Sequence, residues 1–439
     1  LSLIVYKFGG SCLKSIQDLE RISEIIGNSH GKPVVVVSAF GGVTNLLLEA
    51  INCKQNPSSI ISKIRAIHAD ISSTTANIVN SERFSNLLVQ LAEDAAQLEE
   101  NRIDDSIEHR ILSYGEKMAS VLIAEYLKMQ FHQAVAVWAE EIGVVIQGGG
   151  RHRHLKIEPA LPVLNEMLSM KNIPIITGWY GINEDGKIAV LERGGSDVTA
   201  SAIGAVLQAR KVVLWKDIDG ILSINPLHGI KGKKIPYLGY SEASELARLG
   251  TSILHSQCIE PVANVGVALE LRPLHGEGNG TVIGPDLNLE QPQVKAIVCT
   301  HPVRMVTITT PSAQSASSLT REILQLFEQH DIKTWFLQTI SGRIEMVVDD
   351  AYPQSALQKL MTTGLGFSIG EVSSLVSLIG NGISNISRED LMVNSPHGFI
   401  ARRLQITANV SPSLHFLIDH NELIEFVTFL TGTFGLIAS

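Results

Sequence analysis

The chain has 439 residues, with 35 Lys and Arg against 44 Asp and Glu for a formal charge of -9, and 45% hydrophobic against 18% charged residues. That balance buries a core and excludes a disordered chain, and it lacks the broad basic field a nucleic-acid backbone demands while leaving room for a local basic pocket around a small phosphate ligand. The length suggests two or three domains. No apolar run approaches the roughly 18 to 20 residues that span a bilayer, so no membrane partner is expected. The first residues lead into a strand-like segment rather than a signal peptide, and a cytoplasmic location is expected. Cys12, Cys53, Cys258 and Cys299 lie far apart without a C-x-x-C pair, which points to buried thiols rather than a zinc site or a disulfide framework.

Leu3 to Phe8 is apolar and β-prone and runs into Gly9-Gly10-Ser11, before a helical segment with Leu19, Ile22, Ile25 and Ile26 on one face. Val34 to Val37 is an uninterrupted β-branched run of the kind a central parallel strand buries on both faces. It ends in Ser38-Ala39-Phe40-Gly41-Gly42, followed by another helix. Ser59 to Met129 reads as several helices, one of them starting near Ser113-Tyr114-Gly115-Glu116. Strand-like segments at Ala134 to Trp138, Ile173 to Thr177, Ile188 to Leu191 and Val212 to Trp215 mostly alternate with helices. The spacing predicts an α/β domain, an open, mostly parallel sheet with helices on both faces. From Arg304 the rhythm shortens to strand (Met305 to Thr309), helix (Ser318 to His330) and strands (Thr334 to Leu337, Ile344 to Val348), and a second set begins at Leu375 to Ile379. These read as two small β-α-β-β units in tandem, an appended α+β module. A loop at Gly284 to Gln293 marks the boundary, placing the domains at 1–288 and 294–439, with the two small units at about 300–370 and 373–439.

Two motifs are decoys. Gly181 to Lys187 matches G-x-x-x-x-G-K, but Ile188 has no hydroxyl for magnesium, and Asn183-Glu184-Asp185-Gly186 between two strand-like stretches reads as a hairpin turn. Arg151-His152-Arg153-His154 reads as a solvated loop, because adjacent histidines share no face and no carboxylate completes a site.

Three motifs at strand ends carry chemistry. Lys7-Phe8-Gly9-Gly10-Ser11 offers glycine amides that approach phosphate oxygens unhindered, with Lys7 as a point charge. Leu191-Glu192-Arg193-Gly194-Gly195-Ser196-Asp197 places an arginine, two glycines, a hydroxyl and a carboxylate in one turn, which suits gripping a carboxylate substrate. Trp215-Lys216-Asp217-Ile218-Asp219-Gly220 puts carboxylates and a lysine where open α/β sheets bind ligands.

Taken in order, these motifs resemble those of the aspartokinases of the amino-acid kinase superfamily, over nearly the whole chain. Lys7 to Ser11 resembles the family's K-F-G-G-[TS]. Ser38-Ala39 with Val43-Thr44-Asn45 resembles S-A-x-x-x-[IV]-T-[ND], and Ser113 to Glu116 resembles S-x-G-E. Arg193 to Asp197 is similar to R-G-G-S-D, Trp215 to Gly220 to W-T-D-V-D-G, and the tail from about 295 to the paired ACT domains that sense end-product amino acids. The resemblance implies transfer of the ATP γ-phosphoryl group to the side-chain carboxylate of L-aspartate, the first step toward lysine, threonine and methionine.

By that resemblance, Lys7 and Asp197 are catalytic. Ser38, Thr44, Glu116, Arg193, Gly194, Gly195 and Ser196 hold the substrate, Glu116 at its ammonium and Arg193 at its α-carboxylate. Lys7, Gly9, Gly10, Ser11, Lys216, Asp217 and Leu222 face the nucleotide, and Asp197 and Asp217 organise lysine, nucleotide and Mg²⁺. The resemblance also implies a homodimer and a feedback amino acid, lysine or threonine, at the ACT units.

The departures cluster on the nucleotide side. Glu192 stands where the family has Gly, Lys216 replaces Thr, Leu222 replaces Tyr, Asn225-Pro226-Leu227 replaces D-P-R, and Ser252 replaces the lysine of F-G-A-K-V-L-H. Two cationic contacts are thereby lost, and Lys216, Lys231, Lys233 and Lys234 are the candidates to restore charge. The first ACT-like unit has no glycine in Thr309 to Gln314, whereas the second keeps Ile379-Gly380-Asn381-Gly382. Two competing readings follow: a catalytically weak or inactive homologue acting as an amino-acid sensor or partner subunit, and a kinase of this fold acting on another amino acid or carboxylate.

Overall fold

The computed structural model describes residues 2–52, 57–71, 76–100, 105–130, 132–149, 153–192, 194–225, 229–249, 253–276, 278–287, 291–309, 313–330, 332–340, 342–350, 366–386, 402–404 and 411–438. The chain forms two compact units. The first comprises Leu1–Ile221, Pro236–Tyr240 and Ser252–Pro285; the second comprises Leu222–Ile235, Ser241–Thr251 and Asp286–Ser439.

The strands of the first unit are Leu3–Phe8 (β1), Lys32–Val37 (β2), Ala134–Val137 (β3), Val145–Gln147 (β4), His154–Lys156 (β5), Ile173–Thr177 (β6), Tyr180–Ile182 (β7), Ile188–Val190 (β8), Lys211–Lys216 (β9), Tyr237–Gly239 (β10), Ala268–Pro273 (β11) and Thr281–Gly284 (β12). Eight of them form one sheet in the order β10-β12-β11-β9-β1-β2-β6-β3. Neighbours pair parallel except β11 and β12, so β10 and β12 run against the rest. The β-branched runs Val34–Val37 and Val212–Val213 are fully buried, as strands covered on both faces must be.

The central strand β1 sits where the strand order turns, with β2 on one side and β9 on the other. Phe8 aligns with Val37 and with Trp215, and Val37 aligns with Thr177. Gly9, Ser38, Lys216 and Gly178 therefore leave the sheet side by side at its carboxyl edge, the position where open α/β sheets bind ligands. Two buried helices back this edge. Asp105–Met129 is buried from Ile111 through Ala124, and Gly195–Val206 is buried from Gly195 through Gly204. Glycine permits the close approach: a Cβ on Gly115 would lie 2.8 Å from Ala39 Cβ.

A second, four-stranded sheet runs β5-β4-β7-β8. Here β7 and β8 pair antiparallel, and Asn183 Oδ1 accepts the N–H groups of Asp185 and Lys187. Gly186 takes a left-handed φ of +75°. The G-x-x-x-x-G-K match is the turn of a hairpin, as its flanking strands imply.

In the second unit the strands are Gln293–Thr309 (β13), Thr334–Ile340 (β14), Arg343–Asp349 (β15), Gly366–Ile369 (β16), Ser373–Asn381 (β17), Arg402–Leu404 (β18) and Ser413–Asp419 (β19). They form one sheet ordered β14-β15-β13-β17-β19-β18, with β16 also on β13. The long β13 serves both small sets, pairing through Gln293–Thr300 with β17 and through Val303–Thr309 with β15. Helix Ala313–Gln329 packs Ile323 and Phe327 on Val306, Ile308 and Met346, and helix Leu423–Thr433 packs Phe426 and Leu430 on Ile297, Leu378 and Phe416. Ile224 is buried in the latter cluster and bridges to Ile297. Among the described residues no helix is long and apolar enough to cross a membrane.

Candidate active site

At the carboxyl edge of the parallel sheet, three charged side chains from three elements converge. Lys7 is the penultimate residue of β1, Lys216 ends β9, and Asp197 lies in the first turn of the helix Gly195–Val206. Lys7 Nζ lies 2.7 Å from Asp197 Oδ1, and Lys216 Nζ donates to Asp197 Oδ2 at 3.0 Å and to Ile253 O at 2.6 Å. Lys7 and Asp197 are 7% and 4% exposed. Burial alone raises a carboxyl pKa, but the two ammonium groups outweigh it and hold Asp197 at about 2. The trio carries one positive charge in excess, at the point where the sheet's connections diverge.

The glycines fit this arrangement. A Cβ on Gly9 would lie 2.9 Å from Lys7 Nζ, and one on Gly10 would lie 3.0 Å from Ala39 O. Ser11 follows in the short helical turn Gly10–Cys12. Ser38 is half-buried, and its N–H donates to Phe8 O at 3.1 Å, tying the ends of β2 and β1 together. Thr44 is half-buried in the first turn of helix Val43–Asn52.

Glu116 comes from the buried helix Asp105–Met129 and is 2% exposed. Its Oε1 accepts the Ala39 N–H at 3.2 Å, while Oε2 is buried with no hydrogen-bond partner among the described residues. Burial pushes the Glu116 carboxyl up to about 8, against the opposing Ala39 N–H and the nearby Lys7 charge. A buried carboxyl raised to about 8 is protonated at neutral pH, and a cation placed beside it would favour its ionised form.

The loop carrying Arg193 is built on glycine. Gly194 adopts φ +92°, and a Cβ on Gly195 would meet Leu191 Cβ at 2.6 Å. Ser196 is buried where Gly178 comes close; a Cβ on Gly178 would lie 2.7 Å from Ser196 Cβ. Arg193 itself, with Leu227 and Ser252, lies outside the described residues.

Lys7, Asp197, Lys216, Gly9, Gly10, Ser38, Glu116 and Ser196 thus share one region of the first unit. Asp217 is exposed there, with Lys14 Nζ 4.0 Å from its Oδ2. Leu222 falls in the second unit, where it bridges to Lys234. Of the lysines that could restore lost charge, Lys216 reaches Asp197, whereas Lys231, Lys233 and Lys234 belong to the second unit. Glu192 is exposed. Arg153, expected in a solvated loop, is half-buried and donates to Val190 O at 2.7 Å, because β5 draws it into the small sheet; His154 is exposed. Sequence reasoning passed over Trp179, at φ +72°, and the pair of buried Lys117 with half-buried Glu140 at 2.5 Å. Neither leaves a local signal in the sequence.

With this geometry in view, comparison with known proteins gives one family. The sequence profile of the amino acid kinase family matches residues 2–270, more than half the chain. Aspartokinase 1, chloroplastic, of Arabidopsis thaliana is 25% identical over 405 residues, covering 86% of this chain and 70% of that protein. Lysine-sensitive aspartokinase 3 of Escherichia coli (strain K12) is 24% identical over 404 residues, covering 87% and 88%. The crystal structure of E. coli aspartokinase III in complex with aspartate and ADP superposes with a TM-score of 0.79 at 21% identity, covering 98% of this chain and 99% of that one, a likeness of fold.

Proposed function

The chain belongs to the amino acid kinase family, and from that premise we propose that it is an aspartate kinase, which converts L-aspartate and ATP to 4-phospho-L-aspartate and ADP in the first step of lysine and threonine biosynthesis. The observation that carries the reading is the buried Asp197 held between Lys7 and Lys216, together with Glu116 Oε2, which has no hydrogen-bond partner among the described residues. A ligand that is an anion at one end and an ammonium at the other answers both. The aspartokinase relatives point the same way.

In this reading an oxygen of the aspartate side-chain carboxylate attacks the γ-phosphorus, a new P–O bond forms, and the bond to the bridging oxygen breaks with its electron pair leaving on ADP. The carboxylate is already ionised at neutral pH, so no general base is needed, and catalysis is positioning plus electrostatics. Lys7 and Lys216 neutralise charge on the transferred group. Asp197 fixes both ammonium groups, and the amides of Gly9, Gly10 and Ser11 receive phosphate oxygens. Glu116 holds the substrate ammonium, Arg193 its α-carboxylate, and Ser38, Thr44, Gly194, Gly195 and Ser196 close the pocket. Asp217 and Leu222 line the nucleotide side.

The residues do not fit a protein-held Mg²⁺. Both Asp197 oxygens face ammonium groups, and among the described residues no group of three His, Cys, Asp or Glu could hold a metal ion. Mg²⁺ is proposed to arrive on the nucleotide phosphates, and no step is drawn through it.

Lys216 favours an active enzyme over an inactive sensor, because it puts a second cation on Asp197. We further propose that residues 1–288 carry the kinase and 294–439 a regulatory module that senses lysine or threonine and pairs with a second copy of the chain. A ³¹P NMR experiment with ATP, Mg²⁺ and a panel of L-aspartate, L-glutamate and succinate tests the function. An acyl-phosphate signal with L-aspartate alone is expected; no signal with any of the three would refute it.

A further inference from the structure

Strands β1, β2 and β9 release three loops at the same edge of the sheet, residues 9–15, 38–42 and 217–220. One side chain spans all three. Lys14 belongs to the first loop, where its N–H donates to Asp18 Oδ2 at 2.8 Å beside the capping box of helix Ile16–Gly27. Its stem lies against the second loop at Gly41. A Cβ there would be 3.0 Å from Lys14 Cγ, and the Gly41 N–H donates to Leu13 O at 2.8 Å. The Lys14 ammonium then reaches the third loop, 4.0 Å from Asp217 Oδ2. Backbone and stem are seated by neighbours, and the charge projects beyond them.

This pair adds little to the fold. Both side chains are 57% exposed, and an exposed ion pair contributes about 0–1 kcal/mol, so a stronger anion can displace Asp217 at small cost. The pair also sits within reach of the buried trio. Burial pushes the thiol of Cys12, in the turn Gly10–Cys12, up to about 11, the Ser11 hydroxyl and Lys7 oppose that rise, and Asp217 adds to it. One thiol therefore senses both Lys7 and the carboxylate that Lys14 faces. The amides of Gly9, Gly10 and Ser11, assigned to phosphate oxygens, lie in the same loop as Lys14.

Charge balance favours a further cation here. Lys7 and Lys216 are both engaged by Asp197, which leaves the trio one positive charge in excess, and a nucleotide's phosphate tail brings several negative charges. We infer that Lys14 is a nucleotide-binding residue whose ammonium exchanges Asp217 for the phosphate tail of the bound nucleotide; this deepens the aspartate kinase reading and rests on it. The phosphate tail carries more charge than one carboxylate, and the seated stem lowers the cost of ordering the side chain around it.

The test is calorimetric titration of the full chain with adenosine and with ADP and Mg²⁺, beside initial rates and thermal melts. Lys14→Met keeps the stem and removes the charge. It should weaken ADP about three- to thirtyfold, the value of one charge-assisted contact partly screened by water, and raise the ATP KM in step. Adenosine affinity and the aspartate KM should stay within about twofold, because the lost attraction acts on phosphate charge alone. The ADP difference should shrink as salt is raised, and Lys14→Arg should keep most of the affinity. Unchanged ADP affinity, an equal loss with adenosine, or a lowered melting temperature with intact ADP binding would overturn the inference. If the wild type binds ADP but makes no acyl phosphate, the kinase reading fails while the ADP titration still decides the role of Lys14; if it binds no nucleotide, both fall.

Discussion

Replacing Lys216 with methionine keeps its stem and removes its charge. At 3.0 Å from Asp197 Oδ2, with an effective dielectric of about 20, the gross attraction is roughly 5 kcal/mol. Much of this offsets the burial of Asp197. The Asp197 carboxyl is lowered from 3.8 to about 2 even though burial raises it; that net depression corresponds to about 2 kcal/mol, and the two lysines together supply it and offset the burial as well. Lys7 is the larger contributor, so the variant should lose on the order of 1 kcal/mol or more at pH 7. The sign is fixed by the direction of the shift: stability gained from a depressed carboxyl is present above pH 3.8 and lost as pH falls through about 2. Lys216→Met should therefore bring acid unfolding to higher pH. In catalysis the cluster falls from one excess positive charge to none, and kcat/KM for ATP should drop about 10²- to 10³-fold, as for loss of one preorganised donor. Thermal melts across pH and initial rates with varied ATP measure both. A destabilised variant with unchanged ATP kinetics would refute the reasoning and leave Lys216 a purely structural residue.

Three other outcomes are expected. The aspartate KM should fall as pH rises toward about 8, because burial keeps the Glu116 carboxyl protonated below that value and only its ionised form pairs with an ammonium; Glu116→Gln should flatten this profile in initial-rate measurements. Gly194→Ala must place a Cβ at φ +92° and 3.1 Å from His255 Cβ, so it should cost about 1–2 kcal/mol in thermal unfolding and raise the aspartate KM. Ile224→Ala, which opens a cavity in the second unit's core, should cost about 2–4 kcal/mol in denaturant unfolding.

The sheet was legible because its strands advertise themselves. Val34–Val37 and Val212–Val213 are continuous β-branched runs, and each strand ends in glycine, serine or a charge, so both the parallel layer and its chemical edge could be read from local pattern. Lys7, Ser196 and Asp197 were found because short motifs place them at strand and helix ends; Glu116 was found by its motif alone, and it lies mid-helix in Asp105–Met129 and not at the helix start expected near Ser113. Long-range geometry was hidden. Nothing local says that Lys216 turns to Asp197, 19 residues away in the chain, or that one strand, β13, serves both small sets. The assignment of Leu222–Ile235 to the second unit was also invisible, since Ile224 reads as an ordinary apolar residue until it meets Ile297. Trp179 was passed over because a left-handed φ at tryptophan leaves no compositional trace.

The most direct test of the central claim is to trap the product with hydroxylamine after incubating the protein with ATP, Mg²⁺ and L-aspartate, beside Lys7→Ala and Arg193→Ala. The proposed chemistry predicts aspartyl hydroxamate equal to the ADP formed in the wild type and its loss in both variants. ADP release without hydroxamate, or hydroxamate that persists in Lys7→Ala, would contradict it.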